Sequence, residues 1–481
     1  MEKCLFCAAL YKSGMSIGDS SDDATPWPLY HWTLRIAPRG RELQSSMVLS
    51  FRFKHARIPS KSFRVLPEAS LNVPSINQVS KFTDPALSGG SQIKAWIESC
   101  NNDHSGCSKT SSSTWVPTRL LDLESGDPNK VRLVDTRVSR IKGPYCTLSH
   151  AWGKITITIT TVWNMAQFLL DGIPLSDLSN TFRQAIEVAR FLKIRYIWID
   201  SLCIVQQPYG DFAKEGDLMH KVYRYSYCNL VATDSINGQG GLFRERGPSA
   251  VLPVKYHGRG TNRAFREESW VIVPADIWEE ELLSSFIYTR GWVFQERMLS
   301  PRLLHFSKNQ IFWDCGTLSA CETFPSGLPF SLDHKAGTDR HWRGRLDQPD
   351  QSSADITGPN DNESPYTFWR SAVESYTVCN LTSQTDKTVA IWSVAKLLRD
   401  ITDEGYAVGM WATELEEQLA WRVEDVQGSE RVPELQLNIP SWSWASVKGH
   451  IIPHHRLVTR DYRVTNHQGD DISFAVETQA N

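Results

Sequence analysis

Asp200, Ser201 and Cys203 stand directly after the apolar run Tyr196-Ile197-Trp198-Ile199. That run is rich in β-branched and aromatic residues and reads as a strand covered on both faces. In open α/β sheets ligands bind outside the carboxyl ends of the strands, so an acid, a hydroxyl and a thiol there are placed for chemistry. The alternative for Asp200 is a set of hydrogen bonds to backbone amides at a strand-to-loop turn. His150 follows a second predicted strand, Tyr145 to Ser149, and with Cys203 it would supply the thiol and base of a cysteine hydrolase. Against this, Cys203 lies between Leu202 and Ile204, the setting of an inert buried thiol.

Two further groups of residues invite chemistry. Cys4, Cys7, Cys100, His104 and Cys107 offer five soft ligands, and pairs at such close spacing can build a tetrahedral zinc site. Read without a metal, Cys4 and Cys7 are helix-core thiols and His104 a loop residue. Glu215 falls four residues after Asp211, a plausible helix cap, and three after Phe212. An acid in a first turn complements the helix dipole, and its spacing from Phe212 and Met219 turns it toward the buried face. Arg290, Gln295, Glu296 and Arg297 form a polar cluster on a predicted helix and read as structural ion-pair partners. Asn237 to Gly241 is glycine-rich but lacks the Gly-Lys-Ser/Thr ending of a phosphate loop, so it reads as a mobile connector.

Elements of alternating type must position these groups. Phe182, Ala185, Ile186, Ala189 and Leu192 repeat at helical spacing, with Thr181 and Gln184 in the form of a capping box. A second helix is expected from Asp211, with Phe212, Gly216, Met219 and Tyr223 on one face, before a strand at Cys228 to Ala232. This strand-helix alternation from Pro144 onward predicts a doubly wound, mainly parallel sheet. Before it, Met47 to Phe53 alternates like a half-exposed strand and Ile93 to Cys100 reads as a helix. A Ser/Thr-rich stretch, Ser108 to Thr114, marks a soft boundary. After it come a helix at 289–297, a hairpin of Leu303–Phe306 with Ile311–Trp313, and amphipathic helices at Phe368–Val378 and Lys387–Ile401.

The whole chain narrows the function classes. At 481 residues it exceeds a single core, and a net charge of -3 with interspersed signs predicts neither nucleic acid nor an anionic membrane as partner. Ten cysteines without a cleavable leader point to a reducing cytosolic or nuclear setting, of which cytoplasmic is the expectation taken. No stretch approaches the roughly 18 apolar residues of a membrane span.

Three blocks stand in order: Tyr145-Cys-Thr-Leu-Ser-His-Ala-Trp-Gly153, Tyr196-Ile-Trp-Ile-Asp-Ser-Leu-Cys-Ile-Val-Gln206 and Arg290-Gly-Trp-Val-Phe-Gln-Glu-Arg-Met-Leu-Ser-Pro-Arg302. Together they resemble the heterokaryon incompatibility (HET) domain of filamentous fungi. His150 stands where that family more often has Tyr. The N-terminal Cys-x-x-Cys, the Cys100-x-x-x-His104-x-x-Cys107 group and the closing Trp442-Ser-Trp-Ala-Ser446 also resemble long family members. The resemblance implies fungal non-self recognition, ending in growth arrest or programmed cell death. It further implies a TIR-like, flavodoxin-like parallel-sheet core, because HET domains look distantly like Toll/interleukin-1 receptor domains.

Some of those cleave NAD with a glutamate shortly after an Asp-Trp pair. The comparable stretch is Asp211-Phe212-Ala213-Lys214-Glu215, so Glu215 is the implied catalytic residue and NAD the implied substrate. Ser149, Trp152 and Asp200 would then line the pocket, with the Trp152 ring against a base or nicotinamide unless it packs in the core. The alternative is a non-catalytic module that signals by self-association or by docking an upstream sensor.

The expected organisation is a β-containing N-terminal Cys/His region at 1–118, the HET core at 142–300 and a hairpin extension at 301–332. A disordered linker at 333–365 and a mainly helical C-terminal region at 366–481 complete it.

Overall fold

The architecture is that of a computed structural model, which describes residues 30–36, 47–53, 60–75, 78–108, 115–248, 251–258, 268–347, 364–381, 383–431, 439–454, 468 and 470. Its strands in chain order are β1 Tyr30–Ile36, β2 Met47–Phe53, β3 Lys61–Pro67, β4 Arg119–Asp122, β5 Lys130–Asp135, β6 Tyr145–Ser149 and β7 Ile173–Pro174. They continue as β8 Tyr196–Trp198, β9 Cys228–Val231, β10 Val254–His257, β11 Ser269–Pro274, β12 Arg302–Phe306, β13 Ile311–Cys315 and β14 Ser319–Cys321.

A nine-stranded sheet in the order β14-β13-β12-β9-β6-β8-β4-β5-β7 carries the candidate site. Its centre is parallel, β12 on β9, β9 on β6 and β6 on β8. Every residue of β6, β9 and β12 is buried, the mark of strands covered on both faces. The chain runs from β6 to β8, returns across β6 to β9 and continues outward to β12. The direction of winding therefore reverses between β6 and β9, the crevice where doubly wound sheets bind ligands.

The sheet as a whole is mixed rather than mainly parallel. β4, β5 and β7 extend one side and β13 and β14 the other, all antiparallel. The strand-helix rhythm could not reveal this, because β4 and β5 precede the rhythmic segment. A second, antiparallel sheet in the order β1-β2-β3-β11-β10 joins N-terminal strands to two from residues 254–274.

Two local expectations are corrected. The Asn180–Phe191 helix is preceded by Ser179 and makes no side-chain cap. Thr181 Oγ1 instead accepts from Gly241 N at 3.1 Å, and Gln184 Oε1 accepts from Leu242 N at 2.6 Å and Phe243 N at 2.9 Å. The glycine-rich connector is thus pinned to the start of this helix. Within 333–365, His334–Asp347 is a helix. Its charged residues form ion pairs: Arg343 with Asp314 at 2.7 Å, and Asp339 with Arg297. Trp342 stacks on Phe368 at 4.5 Å. The rest of that stretch, 348–363, lies outside the described residues.

The C-terminal region contributes the Pro365–Thr377 and Lys387–Thr402 helices, the first capped by Ser364, together with short two-residue strands. Its buried residues are continuous with the rest: one apolar cluster runs from Ile93 through Leu148 and Ile197 to Ile451. No helix among the described residues is long and apolar enough to cross a membrane.

Candidate functional site

The three sequence blocks meet at the carboxyl ends of β6 and β8. Ser149 ends β6 with its side chain buried, donating to Glu296 of the Gly291–Leu299 helix and accepting from Asn229 Nδ2 of β9 at 2.9 Å. His150 comes next, its Nε2 2.8 Å from Asp200 Oδ1, while Trp152 Nε1 donates to Asp200 Oδ2 at 2.9 Å. The Ser201 amide donates to Asp200 Oδ1 at 2.6 Å, and Arg290 donates to the His150 carbonyl. Gly153 closes the first block at φ +69, where a Cβ would lie 2.3 Å from that of Asn237. Only glycine fits that turn without displacing the connector.

Charge and burial work against each other in this network. Burial pushes the Asp200 carboxyl up, but His150, Trp152 and the Arg290 charge outweigh it and hold the pKa below its ordinary value. For Glu296 burial wins: despite the Ser149 hydrogen bond and Arg290, its pKa is pushed up to about 7, with Asp200 adding to the rise. Two acids in one network are therefore driven apart, one ionised and the other titrating near neutrality.

Asp200 does not hang at a loose strand end. β8 stops at Trp198, and Asp200 opens the four-residue helix Asp200–Cys203. It bonds a backbone amide, as the turn reading expected, and also two side chains. Asp200 and Trp152 are thus brought together, whereas Ser149 faces inward, toward Glu296 and Asn229.

Glu215 lies in the Phe212–Gly216 helix and is 4% exposed. Its Oε1 is buried without a hydrogen-bond partner among the described residues. The helix leans on the third block, Phe212 meeting Trp292 edge to face at 5.9 Å. Asp211 precedes it but does not cap it with its side chain. That carboxylate instead accepts from Val205 N at 2.9 Å and pairs with Arg119.

Cys203 is 1% exposed, with its thiol pushed up to about 12, first by burial and also by Asp200 and Glu215. His150 spends its Nε2 on Asp200, and its ring meets that of Phe182 edge to face, centroids 4.9 Å apart. The cysteine-hydrolase arrangement is therefore not formed.

Away from this edge, Cys100, His104, Cys107 and Cys315 bring their ligand atoms within 4.8 Å of one another. This group could hold a metal ion. It contains three of the five residues expected from sequence; Cys4 and Cys7 lie outside the described residues. Cys315 went unrecognised because it stands at the end of β13, 211 residues after His104. Only the pairing of β12 with β13 delivers it.

Residues 145–296 match the family model described as heterokaryon incompatibility protein (HET). No curated protein and no solved structure matches the chain, and the fold stands as mixed α/β around one large sheet.

Proposed function

The chain carries a heterokaryon incompatibility domain, and from it we propose that this is a cytoplasmic heterokaryon incompatibility protein of fungal non-self recognition. Its output on incompatible fusion is growth arrest or programmed cell death. The observation that carries this reading is the convergence of the three blocks, since Ser149, His150, Trp152, Asp200, Arg290 and Glu296 form one network at the winding reversal of the sheet.

The proposed mechanism is NAD glycohydrolysis dependent on Glu215. Nicotinamide leaves the cationic pyridinium as a neutral molecule, so departure needs no general acid. Water then adds to the ribose C1 and loses a proton. A carboxylate beside the ribose stabilises the oxocarbenium-like transition state or holds the ribose hydroxyls. The unpartnered Glu215 oxygen supports this reading. Purified protein should release nicotinamide from NAD, and Glu215→Gln should abolish release while leaving the far-UV circular dichroism unchanged. Equal turnover by the two proteins would sink the mechanism.

A second reading is non-catalytic, with signalling by self-association or by docking an upstream sensor. It is favoured by the hydrogen bonds Asp200 already holds, its carboxylate accepting from His150, Trp152 and the Ser201 amide. Here growth arrest on induced expression survives Glu215→Gln and cellular NAD stays level. Under the enzymatic reading the wild type depletes NAD and the variant does not.

A further inference from the structure

We propose that Cys100, His104, Cys107 and Cys315 form a structural zinc site that ties the N-terminal region to the β12–β13 hairpin.

The ligand set is three sulfurs and one imidazole, a combination suited to closed tetrahedral zinc. In such a site sulfur and nitrogen ligands lie about 3.6 Å apart. Cys315 Sγ and His104 Nδ1 are 3.4 Å apart, and all four ligand atoms lie within 4.8 Å of one another. Closing the tetrahedron around the ion therefore asks for a contraction of no more than about 1 Å. The residues come from three places in the fold: Cys100 from the Gly90–Asn102 helix, His104 and Cys107 from the turn and short Ser105–Ser108 helix after it, and Cys315 from the end of β13.

A second observation points the same way. Arg302, the first residue of β12, is 2% exposed, and among the described residues no carboxylate pairs with it. Its Nε donates to Cys100 Sγ at 3.2 Å, its other nitrogens reach the Asn101 side chain and the Tyr227 and Cys107 carbonyls, and its guanidinium lies over the Tyr227 ring at 4.9 Å. A buried cation needs a counter-charge. Three thiolates and a neutral imidazole around a divalent ion carry one net negative charge, which matches the single positive charge of Arg302.

The outer contacts also resemble those that orient metal ligands. The Leu318 amide donates to Cys315 Sγ at 3.3 Å, and Cys107 Sγ lies 3.6 Å from Thr317 Oγ1. Thr317 and Leu318 both sit in the tight turn closed by Cys315 N to Leu318 O at 2.9 Å. Such partners fix a ligand's orientation. His104 borders a surface cleft lined by Gln78, Gln92, Trp96 and Ser326, which gives an ion or a chelator a path to the site. Binding displaces the three thiol protons to solvent, with no change of oxidation state.

The test uses the full chain purified under reducing conditions from zinc-supplemented cells. Metal analysis should find about one zinc per chain. The Cys4→Ser/Cys7→Ser double variant should keep it, and Cys315→Ser should lose it. Exchange with cobalt(II) should give thiolate charge-transfer absorption and the visible bands of a tetrahedral ion in wild type. If Cys315→Ser fails to fold, alkylation of wild type decides: Cys100, Cys107 and Cys315 should become labelled only when chelator is added, with buried Cys146 unlabelled throughout. Folded wild type without zinc, zinc retained in Cys315→Ser, zinc lost from the Cys4/Cys7 variant, or a disulfide among the three cysteines would each overturn the assignment.

Discussion

The strand-end network and the Cys/His group are both clusters of reactive side chains packed against one sheet, yet they are completed in opposite ways. At the strand ends the Asp200 carboxylate accepts from His150, Trp152 and the Ser201 amide. In the Cys/His group the sulfurs and imidazole face one another, and the buried charge beside them, Arg302, meets a sulfur where a carboxylate would be expected. A carboxylate already met by donors of its own chain is architecture first. A cluster whose members compete for the same small volume asks for an ion between them.

The largest effect that would break this contrast is at Arg302. Arg302→Met in the zinc-loaded protein should cost roughly 3–5 kcal/mol, because it leaves the anionic centre without its counter-charge. After chelation the same substitution should be neutral or stabilising, since it removes an unpaired buried cation. Urea unfolding with and without chelator measures both, and an equal cost in the two conditions would erase the distinction.

Next in size is Asp200→Ala, which strands the His150 and Trp152 donors. Because the carboxylate is 30% exposed, the expected loss is about 2 kcal/mol rather than the full cost of breaking a buried pair. Its pH dependence has a defined sign. The folded-state pKa is depressed below the ordinary 3.8, so its contribution is present above about pH 4 and is lost as the pH falls through the folded value. The stability gap between wild type and Asp200→Asn should therefore shrink on acidification below about pH 4.

Glu296 gives an effect of opposite sign. Its pKa is raised from 4.5 to about 7, so the folded state holds a proton that the unfolded chain has released, and stability falls as pH rises between those values. Glu296→Gln should remove that decline, seen as a flatter profile of thermal midpoint against pH. Smallest is Cys203→Ala, which removes one buried sulfur and should cost about 1 kcal/mol. Under the enzymatic reading nicotinamide release should be unchanged; a large loss would restore the thiol to the chemistry.

Much of the central sheet was legible from residue order. The β6 and β9 strands, the Asn180–Phe191 helix and the β12–β13 hairpin lie where apolar periodicity puts them, because burial on one or two faces imposes a period that neighbours in sequence must share. The cap expected from Thr181 and Gln184 failed for a physical reason: both side chains found better partners in a loop some 60 residues away. The His334–Asp347 helix was hidden because its charged residues are neutralised by Arg297 and Asp314, outside the segment itself.

The candidate sites divide along the same line. Sequence alone determined the three HET blocks, the acid after β8, the first-turn position of Glu215 and the close trio Cys100, His104 and Cys107, all of which depend on spacing within one element or turn. Only the tertiary structure decided that His150 serves Asp200 rather than Cys203, that Ser149 faces Glu296, and that Cys315 and Arg302 complete the Cys/His group. Those choices rest on which strands lie side by side, and strand order is set by the packing of the whole sheet rather than by any local pattern.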